Sequence, residues 1–97
     1  MEDSIYLNNL YDYYGELLTV KQQQYFEDYY WNNLTLSEIA ENNNISRNAI
    51  HKQLKETVEK LCLYEEKLKL YEKDKKLRSL LKNISDEEIK NKIEEIL

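Results

Sequence analysis

The segment 35–55, which reads TLSEIAENNNISRNAIHKQLK, constrains the fold more than any other part of this chain. Thr35 and Glu38 have the spacing of a capping box, which predicts a helix start. Asn44 interrupts the helical pattern, and asparagine tolerates the left-handed backbone conformation that a tight turn requires. Ser46 is a residue type that caps the start of the next helix. The segment therefore predicts a short helix, a tight turn and a second helix, which together form a helix-turn-helix unit.

This unit has an apolar inner face and a polar outer face. Apolar residues recur at helical spacing, and we expect burial of Ile39, Ala40, Ile45, Ala49, Ile50 and Leu54. The outward residues of the second helix are polar and mostly basic, namely Arg47, Asn48, His51, Lys52 and Lys55. Such side chains suit phosphates and base edges, since arginine can pair with guanine and asparagine with adenine. We therefore expect a recognition helix that begins near residue 46.

Two residues outside this unit could anchor a nucleic-acid backbone. Lys21 and Gln22 lie at the start of the preceding helix in the sequence pattern. The N–H groups of a helix start bind phosphate, and such contacts position a protein on the duplex without reading bases. We therefore add both residues to the predicted DNA contacts.

The rest of the chain also predicts helices. One glycine and no proline leave few helix breakers, and no alternating run indicates a strand, so we expect an all-α fold. A first helix should run from about Asp3 to Tyr14 and end at Gly15, and a second should begin at the cap Thr19 and end near Asn32. We expect the aromatic residues of this second helix to be core or interface. The alternative is a stacking platform for single-stranded RNA, built from Tyr25, Tyr29, Tyr30 and Trp31.

The fourth helix is predicted to be long. No Gly, Pro or Asn interrupts residues 46–82 after its first turn, so the helix should continue to about Tyr71 or beyond. Its apolar residues form two opposed stripes, and the one expected to pack within the chain comprises Leu54, Val58, Leu61, Tyr64, Leu68 and Tyr71. The other repeats every seven residues, and we expect a homodimer interface at Leu63, Leu70 and Leu77. Alternatively, the last helix folds back and covers that second stripe.

A last helix is expected near the end of the sequence. Ser85 can cap it and Glu88 can complete a capping box, which leaves one apolar face made of Ile89, Ile93, Ile96 and Leu97. The chain would then divide into a helix-turn-helix domain, residues 1–56, and a helical extension for dimerisation, residues 57–97.

The charge is unevenly distributed along the chain. The net charge is −5 overall, but residues 1–45 carry −7, residues 46–82 carry +5 and residues 83–97 carry −3. A basic middle can be the electrostatic footprint of a nucleic-acid binder, or simply the solvated face of a long helix. Both interpretations fit the sequence.

Several functional classes lack the residues that they need. One histidine, one cysteine and one glycine provide no metal-ligand spacing, no phosphate loop and no nucleophile–base pair, so we expect neither enzymatic activity nor a cofactor or metal. Cys62 cannot form an intrachain disulfide, which favours a reducing compartment. Without an apolar run long enough to span a membrane, we expect a cytoplasmic protein with no membrane insertion.

The residues also resemble known families. The run LLTVKQQQYFEDYYWNNLTLSEIAENNNISRNAIHKQLKETVEKL resembles region 4 of bacterial sigma factors. A more specific resemblance, over about residues 5–70, is to the YlxM family of small bacterial helix-turn-helix proteins, through LNNLYDYYGELLTVKQQQYFEDYY, LSEIAE and ISRNAI. It implies a sigma region 4-like DNA-binding fold and a regulatory role in the signal recognition particle pathway. Asn44 stands where many relatives of that family have glycine.

Two functions follow as hypotheses. The first is a dimeric DNA-binding regulator. The second is a protein- or RNA-interaction module of the signal recognition particle that does not read DNA sequence. The partners expected are therefore nucleic acid, with DNA favoured over RNA, a second copy of the chain, and components of that particle.

Overall fold

The computed structural model describes residues 3–97, and every regular element in that range is helical. Within it the chain forms α1 (Ser4–Tyr14), α2 (Val20–Phe26), α3 (Leu36–Asn43), α4 (Arg47–Leu68), α5 (Leu70–Leu81) and α6 (Glu87–Glu94). A 3₁₀ turn, Gly15–Leu17, connects α1 to α2, and a π-helical segment, Glu27–Trp31, extends α2. The prediction of an all-α fold is confirmed.

Two buried clusters hold the first four helices together. The cluster between α1, α2 and α4 contains Leu7, Leu10, Tyr14, Leu18, Phe26, Val58 and Leu61. The cluster between α2, α3 and α4 contains Tyr25, Ile39, Ala40, Ile50 and Leu54. Because α4 contributes to both, the helix-turn-helix unit is fixed rigidly to α1 and α2. Val58 and Leu61, which follow the division predicted between residues 56 and 57, pack in the same cluster as residues of α1 and α2.

Gly15 ends α1, as predicted, but for a different physical reason than a left-handed turn. Its φ is −56°, which any residue can adopt. A side chain at this position would instead meet the Tyr11 ring, because an added Cβ would lie 3.1 Å from the ring atoms. The close approach of Tyr11 therefore favours glycine here, since a larger residue would require the ring to shift by a few tenths of an ångström.

The prediction that α4 continues to Tyr71 is wrong, because the helix ends at Leu68. Lys69 has a φ of 56°, in the left-handed region, and α5 begins directly after it. The side chains of Tyr14 and Glu65 accept the first N–H groups of α5, which a helix start would otherwise leave unpaired. Tyr14 Oη accepts from Leu70 N at 3.0 Å, and Glu65 Oε1 accepts from Tyr71 N at 3.1 Å. The Tyr14 hydroxyl also donates to Glu65 Oε1 at 2.6 Å, which connects the break to α1.

Helix α5 packs against α1 through aromatic and polar contacts. The Tyr71 ring meets the rings of Tyr6 and Tyr13 edge-on, with centroids 5.8 and 6.1 Å away. The Tyr13 hydroxyl donates a hydrogen bond to Asp74. That bond, with burial, raises the pKa of Tyr13 to about 12. These contacts fix the direction in which α5 leaves α4.

Helix α6 begins one residue later than predicted. Asp86 rather than Ser85 is the cap, and its carboxylate accepts from Glu88 N at 3.0 Å and from Ile89 N at 3.3 Å. An aspartate cap is preferred to the neighbouring serine here because its charge also interacts favourably with the helix dipole. No residue of α6 is buried, and Ile89 remains 51% exposed.

The second apolar stripe is not covered by α6. Leu63, Leu70 and Leu77 are 50%, 44% and 42% exposed, so the alternative of a last helix folded over them does not hold within residues 3–97. Leu68, predicted to face inward, is also exposed, because the helix turns away at Lys69. The radius of gyration is 17.2 Å, against about 13 Å for a compact chain of this length, so the molecule is elongated.

Candidate nucleic-acid interface

The helix-turn-helix unit begins with the predicted capping box. Glu38 N donates to Thr35 Oγ1 and Thr35 N donates to Glu38 Oε1, both at 3.1 Å. The backbone N–H of Thr35, and then its side chain, lower the pKa of the Glu38 carboxyl. The box therefore fixes the start of α3 with a carboxylate that stays ionised near neutral pH.

The turn itself is built on Asn44. Its φ of 56° and ψ of 39° are left-handed, as predicted for the asparagine at this position. Ile45 N then donates to Ala40 O at 3.1 Å, and Ser46 Oγ accepts from Ala49 N at 3.1 Å to begin α4. Only Asn44, Ile45 and Ser46 separate the two helices, so α3 determines the direction of α4 closely.

The start of α4 is anchored from its inner side. Ile50 and Leu54 have no exposed surface, and they pack with Ile39 and Ala40 of α3. Ala49 is half-buried. The expectation that Ile45 is buried is wrong. Its side chain is 40% exposed, because Ile45 belongs to the turn rather than to the inner face of α4.

The predicted recognition residues lie together on the outer side of this helix start. All are exposed, and within residues 3–97 none is held by a hydrogen bond or an ion pair of its side chain: Arg47, Asn48, His51, Lys52 and Lys55. Residues 46–55 include three bases and no acid. These side chains are consequently available to a ligand on a helix that is itself immobilised.

An open groove of about 680 Å³ lies next to this face, and no sequence pattern indicated it. Its lining brings together the starts of three helices and the segment after α2: Ser4, Tyr29, Tyr30, Asn33, Leu34, Thr35, Leu36 and Arg47. Asn33 has a φ of 56°, which turns the chain between the π-helical segment and α3. Asn32 and Asn33 in sequence indicated this turn, but nothing local indicated that α1 would complete the groove.

The two residues predicted to contact the nucleic-acid backbone, Lys21 and Gln22, differ in exposure. Lys21 is exposed at the start of α2, where it can reach a ligand. Gln22 is buried, which corrects its assignment as a DNA contact. Its Oε1 accepts from Thr19 N at 3.2 Å and from Lys60 Nζ at 3.1 Å, so this side chain caps α2 and binds α4. The T-x-x-Q spacing of a capping box was the signal for this role.

The aromatic residues of α2 and of the π-helical segment after it mostly serve packing. Tyr25 is buried among residues of α3 and α4, and Tyr29 and Leu34 pack against the same cluster. Trp31 is half exposed, and its Nε1 donates to Asn8 Oδ1 at 2.7 Å. The arrangement is that of a core and its rim rather than a row of free rings.

Two other kinds of site have no counterpart in residues 3–97. No group of three or more His, Cys, Asp or Glu residues in this range is placed to hold a metal ion. None of the helices there is both long and apolar enough to cross a membrane.

The chain matches known proteins along its whole length. The UPF0122 family model, described as "Putative helix-turn-helix protein, YlxM / p13 like", matches residues 1–97. A UPF0122 protein of Fusobacterium nucleatum is 40% identical over 97 residues, which is 100% of this chain and 94% of that protein. One of Ureaplasma parvum is 44% identical over 91 residues, or 94% and 92% of the two chains. One of Malacoplasma penetrans is 48% identical over 77 residues, or 79% and 72%. The resemblance to the YlxM family is thereby confirmed, and the chain belongs to the UPF0122 family of YlxM/p13-like proteins.

Proposed function

We propose that this protein is a DNA-binding regulator of the bacterial cytoplasm, and that α4 is its recognition helix. The observation that supports the proposal is the free outer face of the α4 start, with three bases, an asparagine and a histidine on a helix anchored by Ile50 and Leu54. A helix-turn-helix protein binds DNA by placing such a face in the major groove.

Different side chains at the start of α4 would contact bases and phosphates. Arg47 and Asn48 occupy the first turn, which comes nearest to base edges, and they would favour guanine and adenine respectively. His51 lies one turn further on, where it can still reach a base edge. Lys52 and Lys55 would contact phosphates, and Lys21 would add a contact from α2.

The proposed active form is a homodimer. Leu63, Leu70 and Leu77 are large apolar side chains that remain exposed, and burial in a second copy would remove them from water. A symmetric dimer would present two recognition helices, and sites about one DNA turn apart, roughly 34 Å, would then be repeated or palindromic.

A paired substitution tests the role of the recognition helix. Arg47→Ala with Lys52→Ala removes two positive charges without touching the core, so helicity should be unchanged. We expect binding to the preferred duplex to weaken by at least about thirtyfold, since each of the two contacts contributes on the order of 1–3 kcal/mol. The matched control is Lys90→Ala with Lys92→Ala, which removes the same charge from α6. Equal affinities of the two variants in fluorescence anisotropy would contradict the proposed role of the recognition helix.

The alternative is a non-catalytic module that binds RNA or protein within the signal recognition particle. It rests on the family resemblance and uses the same exposed basic face. Anisotropy with structured RNA separates the two functions: RNA binding without any DNA sequence preference supports the alternative, and a preferred DNA sequence supports the regulator.

A further inference from the structure

The positive charge of this chain is concentrated on α5 and its flanks rather than on the recognition helix. Residues 46–66 contain four bases and four acids and are neutral overall. Residues 67–82 contain seven bases and two acids, for a net charge of +5. The whole positive excess of the middle of the chain therefore lies beyond the helix-turn-helix unit.

The two acids in this region are already paired with neighbours. Asp74 accepts from Arg78 Nε at 2.8 Å and from the Tyr13 hydroxyl. Glu72 lies 3.0 Å from Lys76 Nζ, and this pairing lowers the pKa of Glu72. Glu72 also attracts Lys69 and Lys73 at longer range, and the two acids still leave residues 67–82 with their net charge of +5.

Five exposed lysines have no carboxylate within 4.0 Å in the described part of the chain: Lys67, Lys69, Lys73, Lys75 and Lys82. Lys75 Nζ lies 6.0 Å from the centre of the Tyr71 ring. At 100° per residue, three of these five lysines share about half of the α5 cylinder with the paired residues Lys76 and Glu72; the lysines of this half are Lys73, Lys75, Lys76 and Lys82, the last directly after the helix. We call this half the α5 lysine face. Leu70 and Leu77 lie outside it, so the proposed dimer stripe and the lysine face can be used together.

Local preferences disfavour the backbone of Lys69 and the position of Lys73. Lys69 has a left-handed backbone conformation, although its charge at the C-terminal end of α4 is favourable, and Lys73 lies in the first turn of α5, where cations are unfavourable. Departures from local preference of this kind are typical of functional surfaces.

We propose that the α5 lysine face is a second nucleic-acid contact, which binds the phosphodiester backbone without reading sequence. Lysine suits this role because its ammonium group is a point charge with rotatable donors and no planar geometry to match a base. The face is about 18 Å long, enough to follow several phosphates of a duplex. It begins beyond the end of α4, about 33 Å along the axis of that helix from its start. This inference rests on the proposed function for the identity of the duplex, and adds a contact that extends its footprint.

Salt dependence of binding tests the lysine face directly. The variant is Lys73→Gln with Lys75→Gln, and the control, with the same charge change, is Lys90→Gln with Lys92→Gln on α6. Affinity of each full-length protein for a DNA duplex of about 30 base pairs, or three turns, and for an RNA duplex of that length is measured from low to moderate NaCl. Two lost phosphate contacts should reduce the slope of log affinity against log salt by about two. We expect affinity at low salt to drop by at least about tenfold on every DNA sequence, with the sequence preference unchanged.

The outcomes separate this inference from the proposed function. If Lys73→Gln with Lys75→Gln behaves like the α6 control on both duplexes, the lysine face is not a contact and the inference is overturned, whatever the recognition helix does. If its slope falls while Arg47→Ala with Lys52→Ala has no effect, the lysine face stands and the recognition helix does not. If the slope of log affinity against log salt falls only on the RNA duplex, the lysine face binds a phosphodiester backbone, but that of RNA.

Discussion

Three tyrosines act as hydrogen-bond donors to carboxylates between helices. Tyr11 donates to Glu27 at 2.5 Å, Tyr14 donates to Glu65 at 2.6 Å, and Tyr13 donates to Asp74. Burial and then the bond to Glu27 raise the pKa of Tyr11, and burial and then the bond to Glu65 raise that of Tyr14. Each bond requires the protonated phenol, so these residues make the fold sensitive to alkali.

The first residue-scale prediction concerns that sensitivity. A tyrosine whose folded pKa is raised stabilises the protein fully below about pH 10, its ordinary pKa, and loses this contribution as pH rises through the folded value. For Tyr13 the window runs from about pH 10 to about 12. We expect the melting temperature of the natural protein to fall more steeply across this window than that of Tyr13→Phe. Parallel pH profiles of the two proteins in circular dichroism would contradict this.

The second residue-scale prediction concerns Lys69, the residue with a left-handed backbone between α4 and α5. Lys69→Gly relieves the steric cost of a φ of 56°, so we expect stabilisation of about 0.5–1 kcal/mol in urea unfolding. Lys67→Gly, inside α4, is the control and should destabilise by up to about 1 kcal/mol. The same sign of change in both variants would argue against a left-handed Lys69.

At the scale of the elements, local signals were sufficient for the helix-turn-helix unit and insufficient for the break after α4. Thr35, Asn44 and Ser46 act through hydrogen bonds or backbone angles within a few residues, so their roles could be predicted. The break at Lys69 depends on Glu65 and on Tyr14, which lies 55 residues earlier in the numbering. Glu65 is close to the break in sequence, but no local pattern encodes the part of the cap that Tyr14 supplies from α1.

The shared cap gives an element-scale prediction. Glu65→Ala should leave two N–H groups of the first α5 turn without their acceptor and cost about 1–3 kcal/mol. Hydrogen exchange at the amides of Tyr71 and Glu72 should accelerate selectively. The control is Glu66→Ala, whose exposed side chain makes no ion pair within 4.0 Å in residues 3–97. Identical exchange at those two amides in both variants would rule out the cap.

At the scale of the whole molecule, the elongated shape leaves apolar surface on α4 and α5 that one copy does not bury. The sequence predicted this stripe, because the spacing of Leu63, Leu70 and Leu77 is visible without a structure. It also predicted a basic middle, but only the helix boundaries show that the excess charge falls on α5 and its flanks. The boundary between α4 and α5 therefore determines which helix surface carries the positive charge.

The proposed dimer is tested by sedimentation velocity at micromolar concentration. The natural protein should sediment as a dimer, and Leu63→Glu with Leu70→Glu should sediment as a monomer, since two charges per copy would be buried in the interface. The control is Leu17→Glu with Val20→Glu, which charges two exposed apolar positions elsewhere. A natural protein that is monomeric under these conditions would contradict the dimer.

Selection from a pool of random DNA duplexes tests the central claim most directly, because it does not require the target sequence to be chosen in advance. We expect enrichment of a short motif that contains guanine and adenine, read by Arg47 and Asn48. Asn48→Ala should relax the adenine position while Lys52→Ala weakens binding to all sequences alike. Bound duplexes that show no enriched motif over the starting pool would contradict a recognition helix that reads bases.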